Sequence, residues 1–211
     1  MLSKRANSIG SFYLFLLYVS VMLIITLLQQ EFVLLPELQS FDLVGDETKA
    51  LILEKWQKWR WASFLIAPLL LLFRLCLVSL CLFVGSFFTS DMAGRKFKDW
   101  WKVGLIAQAI MLLYSVVICV INISVGSDET ILFTKYTSLL FLVNDEIEQW
   151  LKIPLSAVNI FEIIYWGVMA RLVCTKTNNG YSKSFGFVMS SYGVGYLFYI
   201  VFLMFLILYL N

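Results

Sequence analysis

The sequence predicts an all-α protein, a polytopic membrane helix bundle with five transmembrane helices. Hydrophobic residues make up 61% of the 211 residues, and charged residues make up only 14%, whereas soluble domains usually carry about 25% charged residues. The apolar residues gather into runs that are long enough to cross a hydrocarbon core of roughly 30 Å. Nearly all charged residues fall between those runs, which indicates a chain that passes the membrane several times.

Five runs reach the length that a crossing helix needs, about 20 mostly apolar residues. They are residues 10–28, 63–88, 103–125, 154–173 and 185–210. The first run follows Lys4 and Arg5, as the apolar region of a secretory signal peptide would. It ends without the small-residue cleavage site of such a peptide, so we expect a retained helix.

The segments between the runs differ in charge, and this difference predicts the orientation. One set holds nine basic and two acidic residues; it consists of residues 1–9, 89–102, 171 and 174–184. The other set, residues 29–62 and 126–153, holds six basic and eleven acidic residues. Basic residues concentrate on the cytoplasmic side of membranes. We therefore expect a cytoplasmic amino terminus and an extracytoplasmic carboxyl terminus, in a bacterial inner membrane or an endomembrane.

Two segments outside the five spans are predicted to be interfacial helices. In residues 46–61, Ile52, Trp56 and Trp59 recur at helical spacing, which is typical of a helix that lies along the membrane surface. Residues 131–152 begin with an apolar stretch too short to cross. Tryptophans close to the span ends are expected to anchor the bundle at the interface: Trp56, Trp59, Trp61, Trp100 and Trp101. A partner-binding surface is the alternative for the first of these helices.

Two short turns carry a family resemblance. Residues 94–98 read Gly-Arg-Lys-Phe-Lys, residues 180–185 read Gly-Tyr-Ser-Lys-Ser-Phe, and residues 190–193 read Ser-Ser-Tyr-Gly. This pattern resembles the Yip-domain family of five-span membrane proteins over residues from about 64 to 210. The resemblance implies the five-span fold; eukaryotic members of that family are tied to vesicle traffic and small GTPases.

Arg74 and Glu162 are the two charged residues that lie well inside the predicted spans. A charge near the bilayer centre costs roughly 2.5 to 3.5 kcal/mol on insertion scales, so each needs a partner. The two have opposite sign and similar predicted depth, and we expect them to face each other. The pair would be either a structural ion pair or a transport site, in which Gln108 and Asn159 would extend a polar path.

The start of the fifth span is rich in small residues, which allow helices to approach closely. They are Gly186, Ser190, Ser191, Gly193 and Gly195. We expect an interior packing seam here, with a homodimer contact as the alternative. The cysteines lie within or beside spans and are expected to be small apolar fillers rather than disulfide partners: Cys76, Cys81, Cys119 and Cys174.

The composition argues against most catalytic chemistry. The chain has no histidine, and it lacks a phosphate-binding glycine loop and cysteines at metal spacing. A net charge of +2 gives no reason to expect nucleic acid as a partner. We therefore expect no enzyme, cofactor or metal, but a scaffold or accessory subunit of a membrane complex, with a membrane-protein partner or a second copy as partner. The alternative is a small transporter or channel component.

Overall fold

The structure, a computed structural model, describes residues 2–40, 46–92, 94–143 and 149–210. These residues form helices joined by short turns, and no strand occurs among them. The all-α prediction is confirmed. In the described part of the chain, four helical stretches are long and apolar enough to cross a membrane: Gly10–Leu34, Ala50–Phe87, Phe97–Ser124 and Tyr181–Tyr209.

The α-helices are numbered in chain order. They are α1 (Leu2–Gln29), α2 (Leu35–Ser40), α3 (Asp46–Phe87), α4 (Phe97–Ser124), α5 (Ser127–Thr137), α6 (Gln149–Ala157), α7 (Ile160–Thr177), α8 (Tyr181–Val188) and α9 (Val194–Leu210). π-helical turns link α1 to α2 at Gln30–Leu34 and α8 to α9 at Met189–Gly193. Short 3-10 turns occur at Ser90–Met92 and Leu139–Leu142.

The predicted surface helix over residues 46–61 and the predicted second span form the single helix α3. Its 42 residues make it about 63 Å long. Neither glycine nor proline occurs from Asp46 to Ala67, so nothing in the sequence ends the helix before the span. The predicted boundary between the two elements is therefore wrong. In the other predicted interfacial segment, α5 ends at Thr137, and residues 144–148 lie outside the described residues.

The predicted fourth span, residues 154–173, is divided between two helices. Pro154 lies inside α6, which ends at Ala157, and α7 begins at Ile160. The predicted fourth span is therefore not one continuous helix. The helix breaks at Asn159, which has an extended backbone and caps the start of α7.

The chain forms two compact units. Unit 1 contains the described residues of Met1–Arg74 and Leu112–Thr130, and unit 2 those of Leu75–Met111 and Ile131–Asn211. In unit 2, α3 and α7 each bury a stripe of residues mostly three or four positions apart, which is the spacing of one helix face. In α3 the stripe consists of Leu75, Val78, Ser79, Leu82 and Ser86; in α7 it consists of Glu162, Tyr165, Met169, Ala170 and Val173.

Within unit 2, small residues bring α3 close to the last helical segment, which consists of α8, the π turn Met189–Gly193 and α9. A side chain on Gly195 would come 2.7 Å from Cys81 Sγ, and one on Gly85 would overlap Ser191 Cβ. The seam is therefore formed by Ser191 and Gly195. It does not include Gly186, because a methyl group added there would meet no described atom within 4 Å.

The other two small residues predicted for the seam also lie away from it. Ser190 is exposed. Gly193 is buried in the π turn, where a side chain would meet Met189 of the same turn at 3.7 Å. Of the five small residues, the close approach thus uses residues 191 and 195, which are four positions apart and so share one helix face.

Candidate functional site at an interrupted helix

The break between α6 and α7 is created by Asn159. This residue has extended backbone angles, with φ −118° and ψ 169°, and its Oδ1 accepts a hydrogen bond from the backbone N–H of Glu162 at 2.9 Å. Asparagine is among the best residues at this capping position because its short side chain satisfies an N–H that the helix leaves unpaired. α7 therefore begins anew at this point instead of continuing α6.

The backbone groups that the break leaves unpaired find partners within unit 2. Tyr196 donates its hydroxyl to the carbonyl of Ala157 at 2.7 Å. The backbone N–H of Leu139 donates to the carbonyl of Val158 at 3.0 Å. An unpaired backbone group in hydrocarbon costs several kcal/mol, since no water is present to bind it. The break is thus held by side chain and backbone bonds from two other segments.

Glu162 lies at the third position of α7, on its buried face. Its side chain is only 2% exposed. The carboxylate Oε1 accepts hydrogen bonds from Trp166 Nε1 at 3.1 Å and from the Tyr192 hydroxyl at 2.8 Å. A helix amino terminus carries partial positive charge and favours an anion there. Donors and helix end together stabilise a carboxylate in a dry environment.

The π turn Met189–Gly193 contributes Tyr192 to this site. A π turn adds one residue to a helical turn and so changes which side chains face the interior; such turns are frequent at functional sites. Tyr192 and Gly193 are buried, whereas Ser190 before them is exposed. The carboxylate thus receives a bond from one irregular helical segment while it lies at the start of another.

Aromatic rings surround the carboxylate. Tyr192 packs edge-on against Tyr165 and Trp166, with ring centroids 5.8 and 6.4 Å apart. Tyr196 packs against Trp166 at 5.9 Å and against Tyr192 at 6.0 Å. Edge-to-face packing is the favourable geometry for such rings. Because the rings exclude water, the hydrogen bonds to Glu162 act in a low dielectric, where they are strong.

The predicted polar residues are only partly brought together. Asn159 and Glu162 are joined by the capping bond. Gln108 is buried in α4, and its Oε1 has no hydrogen-bond partner within the described chain. Arg74 lies in α3 and is half-buried. Its pairing with Glu162 stays a prediction.

The predicted interfacial tryptophans fall into two groups. Trp59 and Trp61 are exposed, and Trp56 lies 5.4 Å below the guanidinium of Arg60. Trp100 differs because it is buried, with its ring 5.2 Å from that of Phe187. Its indole therefore packs inside unit 2 and cannot reach the headgroups. Trp101 is half-buried, and its ring lies 6.4 Å from that of Phe97.

Sequence reasoning missed the donors to Glu162. Trp166 follows it by four residues and so lies on the same helix face, a signal that the spacing alone provides. Tyr192, Tyr196 and Tyr199 are spaced by four and three residues, which places their hydroxyls on one side of an otherwise apolar span. Such a stripe of hydroxyls indicates donors for a buried acid.

The described residues contain no group of three or more histidine, cysteine or acidic residues that could hold a metal ion. Four cysteines of the described residues are free thiols, of which Cys119 is buried and Cys76 is exposed: Cys76, Cys81, Cys119 and Cys174. Comparisons with protein-family models, with curated proteins and with solved structures find no match to this chain.

Proposed function

We propose that the chain is a five-span membrane protein that acts as a non-enzymatic scaffold or accessory subunit of a membrane complex. The supporting observation is that the polar groups at the helix break are bonded to side chains of the same unit. The carbonyl of Ala157 and the carboxylate of Glu162 both bind tyrosines of the last helical segment. This arrangement holds two spans in a fixed register. A bundle held in this way can present a constant surface to a partner protein.

A second set of contacts supports the proposed topology. Arg95 Nη2 donates to the carbonyl of Lys176 at 2.8 Å, and Lys176 Nζ donates to the carbonyl of Asp99 at 2.6 Å. The end of α7 therefore lies beside the start of α4. Both segments are rich in lysine and arginine, so we assign this end to the cytoplasm.

In this topology α6 and α7 together make the fourth crossing. Glu162 precedes Lys176 by 14 residues, which corresponds to about 21 Å along the helix. In a hydrocarbon core of roughly 30 Å, the carboxylate then lies in the outer half of the membrane. The Yip-domain resemblance of residues 64 to 210 fits the proposal, because that family also has five spans.

A small transporter or channel component is the second candidate. The specific observation in its favour is that a broken helix, a π turn and a buried carboxylate meet at Glu162. Interrupted helices form the substrate and ion sites of many transporters, and an acid inside a membrane is often functional. In this case Glu162 would exchange a proton or bind a cation, with Asn159 and Gln108 along the path.

One experiment on purified protein separates the two candidates. Wild-type protein, Glu162→Gln and the exposed control Glu54→Gln are purified in mild detergent and then reconstituted into vesicles. A scaffold retains a stoichiometric membrane-protein partner in detergent, and its vesicles pass protons and monovalent cations no faster than empty ones. Cation or proton flux that is present in wild type and Glu54→Gln, but absent in Glu162→Gln, would replace the scaffold by the transporter.

The expected ion pair between Arg74 and Glu162 has its own test. Arg74→Glu and Glu162→Arg alone should each lower expression and thermal stability, because each leaves two like charges inside the membrane. The double variant restores opposite charges and should recover a large part of the loss. If the double variant is no better than the single ones, the two residues do not pair.

A further inference from the structure

One end of unit 2 concentrates positive charge. The segments 91–102 and 174–183, which contact each other, hold six basic and two acidic residues. The basic residues are Arg95, Lys96, Lys98, Lys102, Lys176 and Lys183. We call this surface the cationic end. Its net charge of +4 is twice the +2 of the whole chain.

The acidic residues of the cationic end are already engaged. Asp99 Oδ1 lies 3.4 Å from Lys176 Nζ, and Asp91 Oδ2 lies 3.9 Å from Lys183 Nζ. Arg95 donates to the last turn of α7, where carbonyls carry partial negative charge. Lys96 and Lys98 extend from the same segment and are exposed. These two lysines present their charge to an external ligand.

The pKa of Lys176 is set first by burial and then by its charged neighbours. Burial lowers the pKa of its ammonium below the usual value; Asp99 raises it, while Lys102 and Arg95 lower it further. Like charges in proximity repel one another, and an anion bound among them relieves the repulsion.

Two helices also begin at the cationic end. α4 starts at Phe97 and α8 at Tyr181. The cap residue of α8 is Gly180, which has no side chain that could bond the first N–H groups of the helix. Helix amino termini carry partial positive charge and unpaired N–H groups, which favour phosphate. The lysines and both helix ends are therefore all positive, and all of them attract an anion.

We propose that the cationic end binds the phosphate of an anionic phospholipid. A lipid suits the surface better than free phosphate because exposed aromatic rings stand beside the lysines, at the start of two apolar spans. Phe97 and Tyr181 are both exposed, and both begin stretches long and apolar enough to cross a membrane. The lysines then meet the headgroup while the rings meet the upper acyl chains.

The test uses the full-length protein in mild detergent. Thermal unfolding and lipid retention in native mass spectrometry are measured with phosphatidylglycerol, with phosphatidylcholine and with inorganic phosphate. The variant is Lys96→Gln with Lys98→Gln, and the matched control is Lys55→Gln with Lys58→Gln, which removes two exposed lysines of unit 1. Each lysine near an anionic surface contributes about fivefold in affinity, so loss of two lysines should weaken the binding of phosphatidylglycerol about 25-fold.

Support requires that phosphatidylglycerol stabilise wild type and control more than phosphatidylcholine does, and that added salt weaken the effect. Equal stabilisation by inorganic phosphate would assign the surface to a free anion and overturn the lipid proposal. Retention of phosphatidylglycerol by the Lys96 and Lys98 variant at wild-type strength would also overturn it. The salt dependence is measured on the wild type alone, so it remains decisive if the variant is poorly produced.

Discussion

Both units contain a π-helical turn that directs a polar side chain onto another helical segment, yet the two surroundings differ. In unit 1, Gln30 Nε2 in the turn Gln30–Leu34 donates to the carbonyl of Arg60 at 3.0 Å and to Ser63 Oγ. In unit 2, Tyr192 in the turn Met189–Gly193 donates to the carboxylate of Glu162 at 2.8 Å. In each unit, a side chain of a π-helical turn therefore makes the contact between two helical segments.

The difference is in the exposure of the charged groups. The ion pair between Glu31 and Arg60 has a distance of 3.0 Å, and both side chains are 36% exposed. Glu162 is 2% exposed. Exposed ion pairs contribute about 0 to 1 kcal/mol because solvent screens them, whereas losing the acceptor of buried donors carries their full desolvation cost. Burial, not local geometry, decides which contact the fold depends on.

The largest expected effect comes from Glu162→Leu. This change leaves the Tyr192 hydroxyl and the Trp166 indole N–H without their acceptor, and we expect a loss of about 3 kcal/mol in unfolding free energy. Thermal unfolding in detergent measures it. Glu162→Gln keeps an acceptor oxygen and should lose less. A Glu162→Leu protein as stable as wild type would show that the buried hydrogen bonds of Glu162 do not contribute to the unfolding free energy.

A smaller loss is expected from Gly85→Ala, which tests the packing beside the site. The added methyl group overlaps Ser191 Cβ, and overpacking of this kind costs about 1 to 3 kcal/mol. Ser191→Gly in the same chain should restore stability. Gly186→Ala is the control, because a side chain there meets no described atom within 4 Å. Equal losses at positions 85 and 186 would contradict the seam.

The smallest effect is expected from Arg60→Gln in unit 1. Its partner Glu31 remains accessible to water, so thermal stability should fall by less than about 1 kcal/mol. Raising the salt concentration should reduce the difference between variant and wild type, since salt screens the lost pair. If Arg60→Gln destabilises the protein more than Glu162→Leu does, the comparison between the units is reversed.

Composition and run length predict much of the fold, because crossing a hydrocarbon core requires long apolar helices. Four predicted spans fall on helices that the structure shows to be long and apolar enough: residues 10–28, 63–88, 103–125 and 185–210. For residues 154–173, run length alone does not predict the break. The sequence Asn159-Ile-Phe-Glu162 has the form of a helix start, an asparagine followed three residues later by glutamate. This local signal is easily missed within an apolar run.

Other features of the site could not be read from the sequence. The π turns lie inside continuous helical stretches, and residues in them bond to residues distant in the sequence, such as Gln30 to Arg60 and Tyr192 to Glu162. The partner of a buried acid depends on which face of a neighbouring span is turned inward. The close approach at Ser191 and Gly195 fixes that orientation, and a pattern of five small residues does not by itself show which two make the contact.

Glu162 and Tyr192 form one buried hydrogen-bonded pair that holds the interrupted helix in place. A double-mutant cycle with Glu162→Leu, which removes the acceptor, and Tyr192→Phe, which removes the donor, tests this most directly when it is measured as thermal unfolding in detergent. We predict that the double variant is more stable than the sum of the two single losses implies, by about 1 kcal/mol or more, because both changes break the same hydrogen bond. Strictly additive losses would contradict the claim.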